Sequence, residues 1–195
     1  MRPQQTEIIR VKDNHRLALM ALWVALIVTV GLVFAFIPNI ELVIFVAYLG
    51  GAALGAKRGF IVVVMGETIF SAFNPLGSGL AFPILLLLQI ISIGFAGLMG
   101  GWTASIVLSI RSRIFRLVCV GLTGFFLTLV YDILTSLSLP LSTGMTEGTL
   151  IGSITAGLAF FVMHMVSNTI LFSLFAPASL ILVQNQMQMH GLDSR

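Results

Sequence analysis

The sequence predicts an all-α membrane protein, a six-transmembrane-helix bundle with N and C termini cytoplasmic. Three observations carry that expectation. Of 195 residues, 58% are hydrophobic and 9% charged, with a mean hydropathy of +1.09, whereas a soluble domain carries about a quarter charged residues. Apolar runs near the length of a bilayer span recur along the chain. The basic residues gather in alternate loops. Ten Lys and Arg with seven Asp and Glu could not clothe a soluble surface. The composition therefore excludes a soluble enzyme, a nucleic-acid-binding domain and a disordered tail, and the pI near 9.6 reads as topology rather than affinity for polyanions. Cys119 is the single cysteine, which excludes an internal disulfide and any cysteine-based metal cluster.

Residues 1–16 are polar, carry four basic groups and lack the apolar core of a signal peptide; they read as a cytoplasmic tail. Residues 17–183 read as one transmembrane domain and 184–195 as a second tail. The first span is Leu17 to Phe36, stopped by Ile37-Pro38-Asn39. Leu42 to Ala56 and Gly59 to Phe73 are two shorter runs, separated by Lys57-Arg58 and closed by the turn Asn74-Pro75-Leu76-Gly77-Ser78-Gly79. The fourth span covers Leu80 to about Ile110, with Pro83 near its start, where proline is tolerated. The fifth covers about Ile114 to Leu139 and stops at Pro140; Leu141 to Gly148 reads as a loop. Thr149 to Val183 would measure ~50 Å as one helix against a ~30 Å hydrocarbon core. A short outer helix over 149–156, a span over 157–175 and a bend at Pro177 are expected there.

With six spans, every Lys and Arg falls on one side. Arg2, Arg10, Lys12 and Arg16 precede the first span; Lys57 and Arg58 follow the second; Arg111, Arg113 and Arg116 follow the fourth; Arg195 ends the chain. The opposite loops, at Pro38, 74–79 and 141–148, contain none. The positive-inside bias puts both termini in the cytoplasm, in a prokaryotic inner membrane.

Ionisable residues inside spans are functional candidates, because lipid penalises them. Glu67 lies about two turns below the turn at Asn74, and Asp132 about two turns below Pro140. His164 and Asn168 share a face of the last span, Gln89 lies in the outer half of the fourth, and Tyr131 adjoins Asp132. Different spans thus place polar groups at similar depth, as for one cavity open to the outside. Each has a plainer reading. Glu41 at a helix start can complement the helix dipole, and His164 with Asn168 can be interhelical glue. The two carboxylates are harder to dismiss, since His164 is the one basic partner at their depth. Glu147, Asp193, His15 and His190 lie in solvated segments and carry no role.

Gly51, Gly55 and Gly59 recur every fourth residue, as do Gly97 and Gly101, which reads as close helix packing. Ala18, Ala21 and Ala25 form a similar stripe in the first span, facing either the bundle interior or a second membrane subunit. No nucleotide-binding motif is present, so active transport would need a partner or an ion gradient. Three scattered histidines form no metal site, and no cofactor is implied.

The chain resembles the substrate-binding S components of energy-coupling factor (ECF) transporters. The resemblance lies in the six short spans, in Ile37-Pro38-Asn39-Ile40-Glu41-Leu42, in the Gly51/Gly55/Gly59 stripe, in Tyr131-Asp132-Ile133-Leu134-Thr135 and in His164-x-x-x-Asn168. Ala21-x-x-x-Ala25 is similar to the motif with which the first helix of that family docks on the transmembrane coupling subunit. The resemblance implies a non-enzymatic protein that captures a vitamin or related micronutrient from outside. It would then associate with a coupling subunit and two cytoplasmic ATPases, and topple in the membrane to release the substrate inside. It implies pocket roles for Asn39, Glu41, Asn74, Gln89, Tyr131, Asp132, His164 and Asn168, with Glu67 supporting or contacting the ligand. It implies docking through Ala18, Ala21 and Ala25. The start Met1-Arg2-Pro3 lacks the Met-His of nickel and cobalt members. The Ile-Pro-Asn-x-Glu opening looks most like members with cobalamin-type or unassigned substrates. An acidic, aromatic-poor pocket would suit a donor-rich or cationic ligand. With Trp23 and Trp102 toward the inner half, ring stacking would rest on Tyr131 or on Phe residues, which disfavours a thiamine-like mode. The alternatives are a small carrier outside this family and a rhomboid-like intramembrane serine hydrolase using Ser78 and His164. The hydrolase reading is weakened by Leu76 standing where that motif has glycine.

Overall fold

The computed structural model describes residues 3–37, 42–77 and 79–189, with side chains from residue 13 onward. The described residues form seven helices and no strand: α1 (Pro3–Phe34), α2 (Val43–Leu54), α3 (Ala56–Ala72), α4 (Pro83–Ser109), α5 (Arg113–Ser136), α6 (Ser138–Thr143) and α7 (Glu147–Met189), with a 3-10 turn at Gly79–Ala81. Four of these, the apolar part of α1, then α4, the α5–α6 stretch and α7, are long and apolar enough to cross a membrane. Large apolar side chains such as Leu22, Leu87, Leu122 and Leu174 are exposed along all four, as lipid-facing surfaces require.

The shortest of the first five helices holds the bundle together. α2 has 12 residues, about 18 Å of helix, and 11 of them are buried. Its sequence is apolar on every side, which suits a helix enclosed by others. α4, α3, α7 and α1 all pack against it. Small residues allow this approach. An ideal Cβ on Gly51 would lie 1.8 Å from the carbonyl oxygen of Gly97, and one on Gly100 would lie 1.8 Å from that of Tyr48. α2 and α4 therefore cross backbone against backbone, stapled by a 2.9 Å hydrogen bond between the Tyr48 and Thr103 hydroxyls. Gly55 turns the chain from α2 into α3 at φ 79°, a conformation glycine adopts without steric cost. The glycine stripe is thus used for a turn and a helix crossing.

Ala18, Ala21 and Ala25 all lie exposed on α1. α1 packs on α3 and α2 through the opposite face, where Ile27 is fully buried. Of the two readings left open by the sequence, the bundle interior is therefore excluded for this stripe.

Two expectations need correction. The last segment is one helix of 43 residues, about 64 Å long, with no separate outer helix over 149–156. Its first turns run past the end of α5 and pack against α6, with Ser153 Oγ donating to the Ser136 carbonyl. The excess length is accommodated by overhang instead of a break. Pro177 sits inside this helix, where neighbouring helices sustain a backbone lacking one N–H. The expected loop over 141–148 begins as helix, because Pro140 falls in the first turn of α6, where its missing N–H has no partner to lose. Helix α1 starts at Pro3 and α7 ends at Met189, so the expected tails are helical over residues 3–16 and 184–189.

Candidate functional site

At the end of the bundle where α1 finishes, α2 starts and α3 finishes, there is a cavity of about 360 Å³. Its apolar wall is Phe34, Phe36, Phe70 and Phe160, with Leu42 and Val43 from the start of α2. Gly31 makes the placement of one ring possible: a Cβ there would meet the Phe70 ring at 2.5 Å. The polar groups on the wall are Asn74, Gln89 and the Tyr131 phenol. Asn74 Oδ1 accepts from the Leu76 amide at 3.0 Å, an Asx turn that fixes the side chain at the end of α3.

Behind this wall the remaining polar candidates form two groups. In the first, Ser71 Oγ donates to Glu67 Oε1 at 2.8 Å and lies 3.5 Å from Gln89 Oε1. Its one proton serves the shorter contact, because a 3.5 Å separation is at the limit of a hydrogen bond. Gln89 Nε2 in turn donates to the Tyr131 hydroxyl at 3.3 Å. In the second, at the α5–α7 interface, His164 Nδ1 lies 2.8 Å from Asp132 Oδ1, both side chains being essentially inaccessible. With Asp132 ionised, Nδ1–H is the donor. Asn168 Nδ2 donates to the His164 carbonyl one turn back, at 3.3 Å. Asp132 Oδ2 and Asn168 Oδ1 are buried acceptors with no hydrogen-bond partner among the described residues. Burying them is the costly feature of this interface.

The two groups meet at the aromatic wall. The Tyr131 ring stands edge-on to the His164 imidazole at 5.8 Å, and the Phe160 ring lies 5.5 Å from it. Tyr131 neighbours Asp132 on α5, and Phe160 is one turn before His164 on α7. The Asp132–His164 bond thereby ties together the two helices that present Tyr131 and Phe160 to the cavity.

The candidates divide accordingly. Asn74, Gln89 and Tyr131 line the cavity, whereas Glu67, Asp132, His164 and Asn168 brace it from behind. Asn39 and Glu41, like Pro38 and Ser78, lie outside the described residues. The cavity is not aromatic-poor as expected, since four phenylalanines line it; no charged side chain among the described residues does, and Glu41 lies outside them. Individual phenylalanines carried no signal in a chain with 15 of them. Only the spacing of Phe160 four residues before His164 could have singled one out. Trp23 packs near Gly50, and Trp102 is exposed.

A larger cavity, about 570 Å³, lies at the other end of α2, lined by Ala52, Ala53, Gly101 and Ala104 together with Ser105 and Gln184. It exists because α2 ends early between α4 and α7. The rest of its wall is Leu108, Leu180, Val183 and Met187, with no aromatic ring and no charged group. No group of three or more His, Cys, Asp or Glu that could hold a metal occurs among the described residues. No protein-family model, curated protein or solved structure matches the chain.

Proposed function

We propose that the protein is the substrate-capturing S component of an ECF-type transporter, a six-span protein of a prokaryotic inner membrane with both termini cytoplasmic. It binds a small organic micronutrient from outside and hands it to an energised membrane partner. The observation that carries this reading is the aromatic and carboxamide-lined cavity at one end of an apolar bundle. That end is bounded by residues 74–77, which carry no basic group, while Lys57, Arg58, Arg111, Arg113 and Arg116 gather at the other. By the positive-inside bias the cavity faces outward. Ligand pockets are concave, mostly apolar and set with a few polar groups, and this cavity has that make-up.

Binding and release, rather than catalysis, suit a site of neutral amides, a phenol and phenyl rings. The exposed Ala18, Ala21 and Ala25 supply a smooth stripe on which a helix of a coupling subunit can seat closely. That subunit would in turn recruit two cytoplasmic ATPases. A volume of about 360 Å³ lies at the lower end of small-molecule sites and favours a ligand much smaller than a corrinoid. The test is native mass spectrometry of the protein purified gently from cells grown in rich medium. A stoichiometric small molecule, released on denaturation, is the expected result. A protein that retains nothing, and takes up nothing from a vitamin mixture supplied to intact cells, would sink the proposal.

A further inference from the structure

We infer that the ligand has two parts, a flat uncharged heteroaromatic ring and a short hydroxylated chain or sugar attached to it; this rests on the capture reading above. A second, more open depression of about 310 Å³ lies against the first between α4, α5 and α7. The two share three wall residues, Gln89, Tyr131 and Phe160. The partition between them is therefore thin. It consists of one long hydrogen bond, Gln89 Nε2 to the Tyr131 hydroxyl at 3.3 Å, and one phenyl ring that is 42% exposed. A bond of that length holds weakly, and a partly exposed phenyl ring is less confined by packing than a buried one. A ligand that supplies its own partners to Gln89 and Tyr131 can replace that bond and occupy both compartments.

The chemistry of the two compartments differs, and that difference assigns the two parts. The first is walled by phenylalanine rings, which stack on a flat ring, and by the carboxamides of Asn74 and Gln89, which pair with ring carbonyl and N–H groups. The second carries the hydroxyls of Thr135, Ser136 and Ser153. Each hydroxyl donates to a backbone carbonyl within its own helix or, for Ser153, across to Ser136, so its oxygen faces a ligand as an acceptor. Acceptors in a row suit the O–H donors of a polyol or sugar. An uncharged ring fits a wall on which the described polar groups are two carboxamides and a phenol, with Glu67 and Asp132 set behind it against Ser71 and His164. Each cavity alone is near the lower limit for a ligand site; joined, they reach the middle of that range.

The test uses full-length protein in lipid nanodiscs, incubated with an equimolar mixture of riboflavin, lumichrome, adenosine, adenine, thiamine and cobalamin. Retained compounds are then read by mass spectrometry. A chain-bearing uncharged ring, riboflavin or adenosine, is expected to be retained at least tenfold over its chainless counterpart. Ser153→Leu, which fills the second compartment, is expected to abolish that preference. Retention of thiamine or cobalamin, or equal retention of ring with and without its chain, would overturn the two-part ligand and leave micronutrient capture standing. Retention of none of the six overturns the two-part ligand, and capture falls with it only if the protein also arrives from cells without a bound small molecule.

Discussion

Gly50 and Gly51 are neighbours in sequence, yet substituting each with alanine is expected to give opposite results. A Cβ on Gly51 would lie 1.8 Å from the Gly97 carbonyl oxygen and 2.7 Å from its carbon. An unstrained carbon–oxygen contact sits at about 3.3 Å, so α2 and α4 must part by roughly 1.5 Å along this line. Backbone stands on both sides, and no rotamer change can relieve it. Overpacking of this kind costs typically 1–3 kcal/mol, and the upper end applies where nothing flexible can yield. At about 2–4 °C per kcal/mol for a chain of this size, Gly51→Ala should lower the melting temperature by about 6–12 °C. A Cβ on Gly50 would instead meet the Trp23 ring at 3.4 Å, an ordinary contact, so Gly50→Ala should stay within about 1 kcal/mol of the parent. Thermal stability of purified protein, followed by size exclusion after heating, reads both. Because α2 also brings Leu42 and Val43 to the cavity, ligand retention should fall with Gly51→Ala alone. Equal melting temperatures for the two variants would refute the backbone-to-backbone crossing.

Two further outcomes follow from the site and the topology. Asp132→Asn keeps the shape of the clamp but replaces a carboxyl group with a weaker-pairing carboxamide. The difference, of the order of 1–2 kcal/mol, is enough to loosen the Tyr131–Phe160 wall and weaken ligand binding at least tenfold; an unchanged dissociation constant by titration would count decisively against the clamp. In a Cys119→Ala background, Met145→Cys should react with a membrane-impermeant maleimide in intact cells, and Ser109→Cys only after permeabilisation. The reverse pattern would invert the orientation and put the aromatic cavity on the cytoplasmic side.

Much of the bundle could be read from hydropathy because a long apolar helix is a local property. Each of α4, α5 and α7 is announced by its own run of residues, and Pro83 marks the start of α4. The boundaries of α7 were not legible. Whether a helix of 43 residues breaks or overhangs depends on what packs against its end, here α6. The sequence also named Asp132 and His164, since lipid makes any buried ionisable group conspicuous. It offered His164 as the one basic partner for either carboxylate but could not choose Asp132 over Glu67, because the pair is 32 residues apart and on separate helices.

By itself, then, the sequence determined the solvent this protein is built for, its apolar helices and the few polar residues worth attention. Composition and local periodicity specify those directly. Only the tertiary structure decided which polar groups face a cavity and which brace it, and that four phenylalanines stand in the wall. Side chains reach a shared cavity according to helix rotation and crossing distance. Those are set by contacts such as Gly51 on Gly97, between residues far apart in the chain.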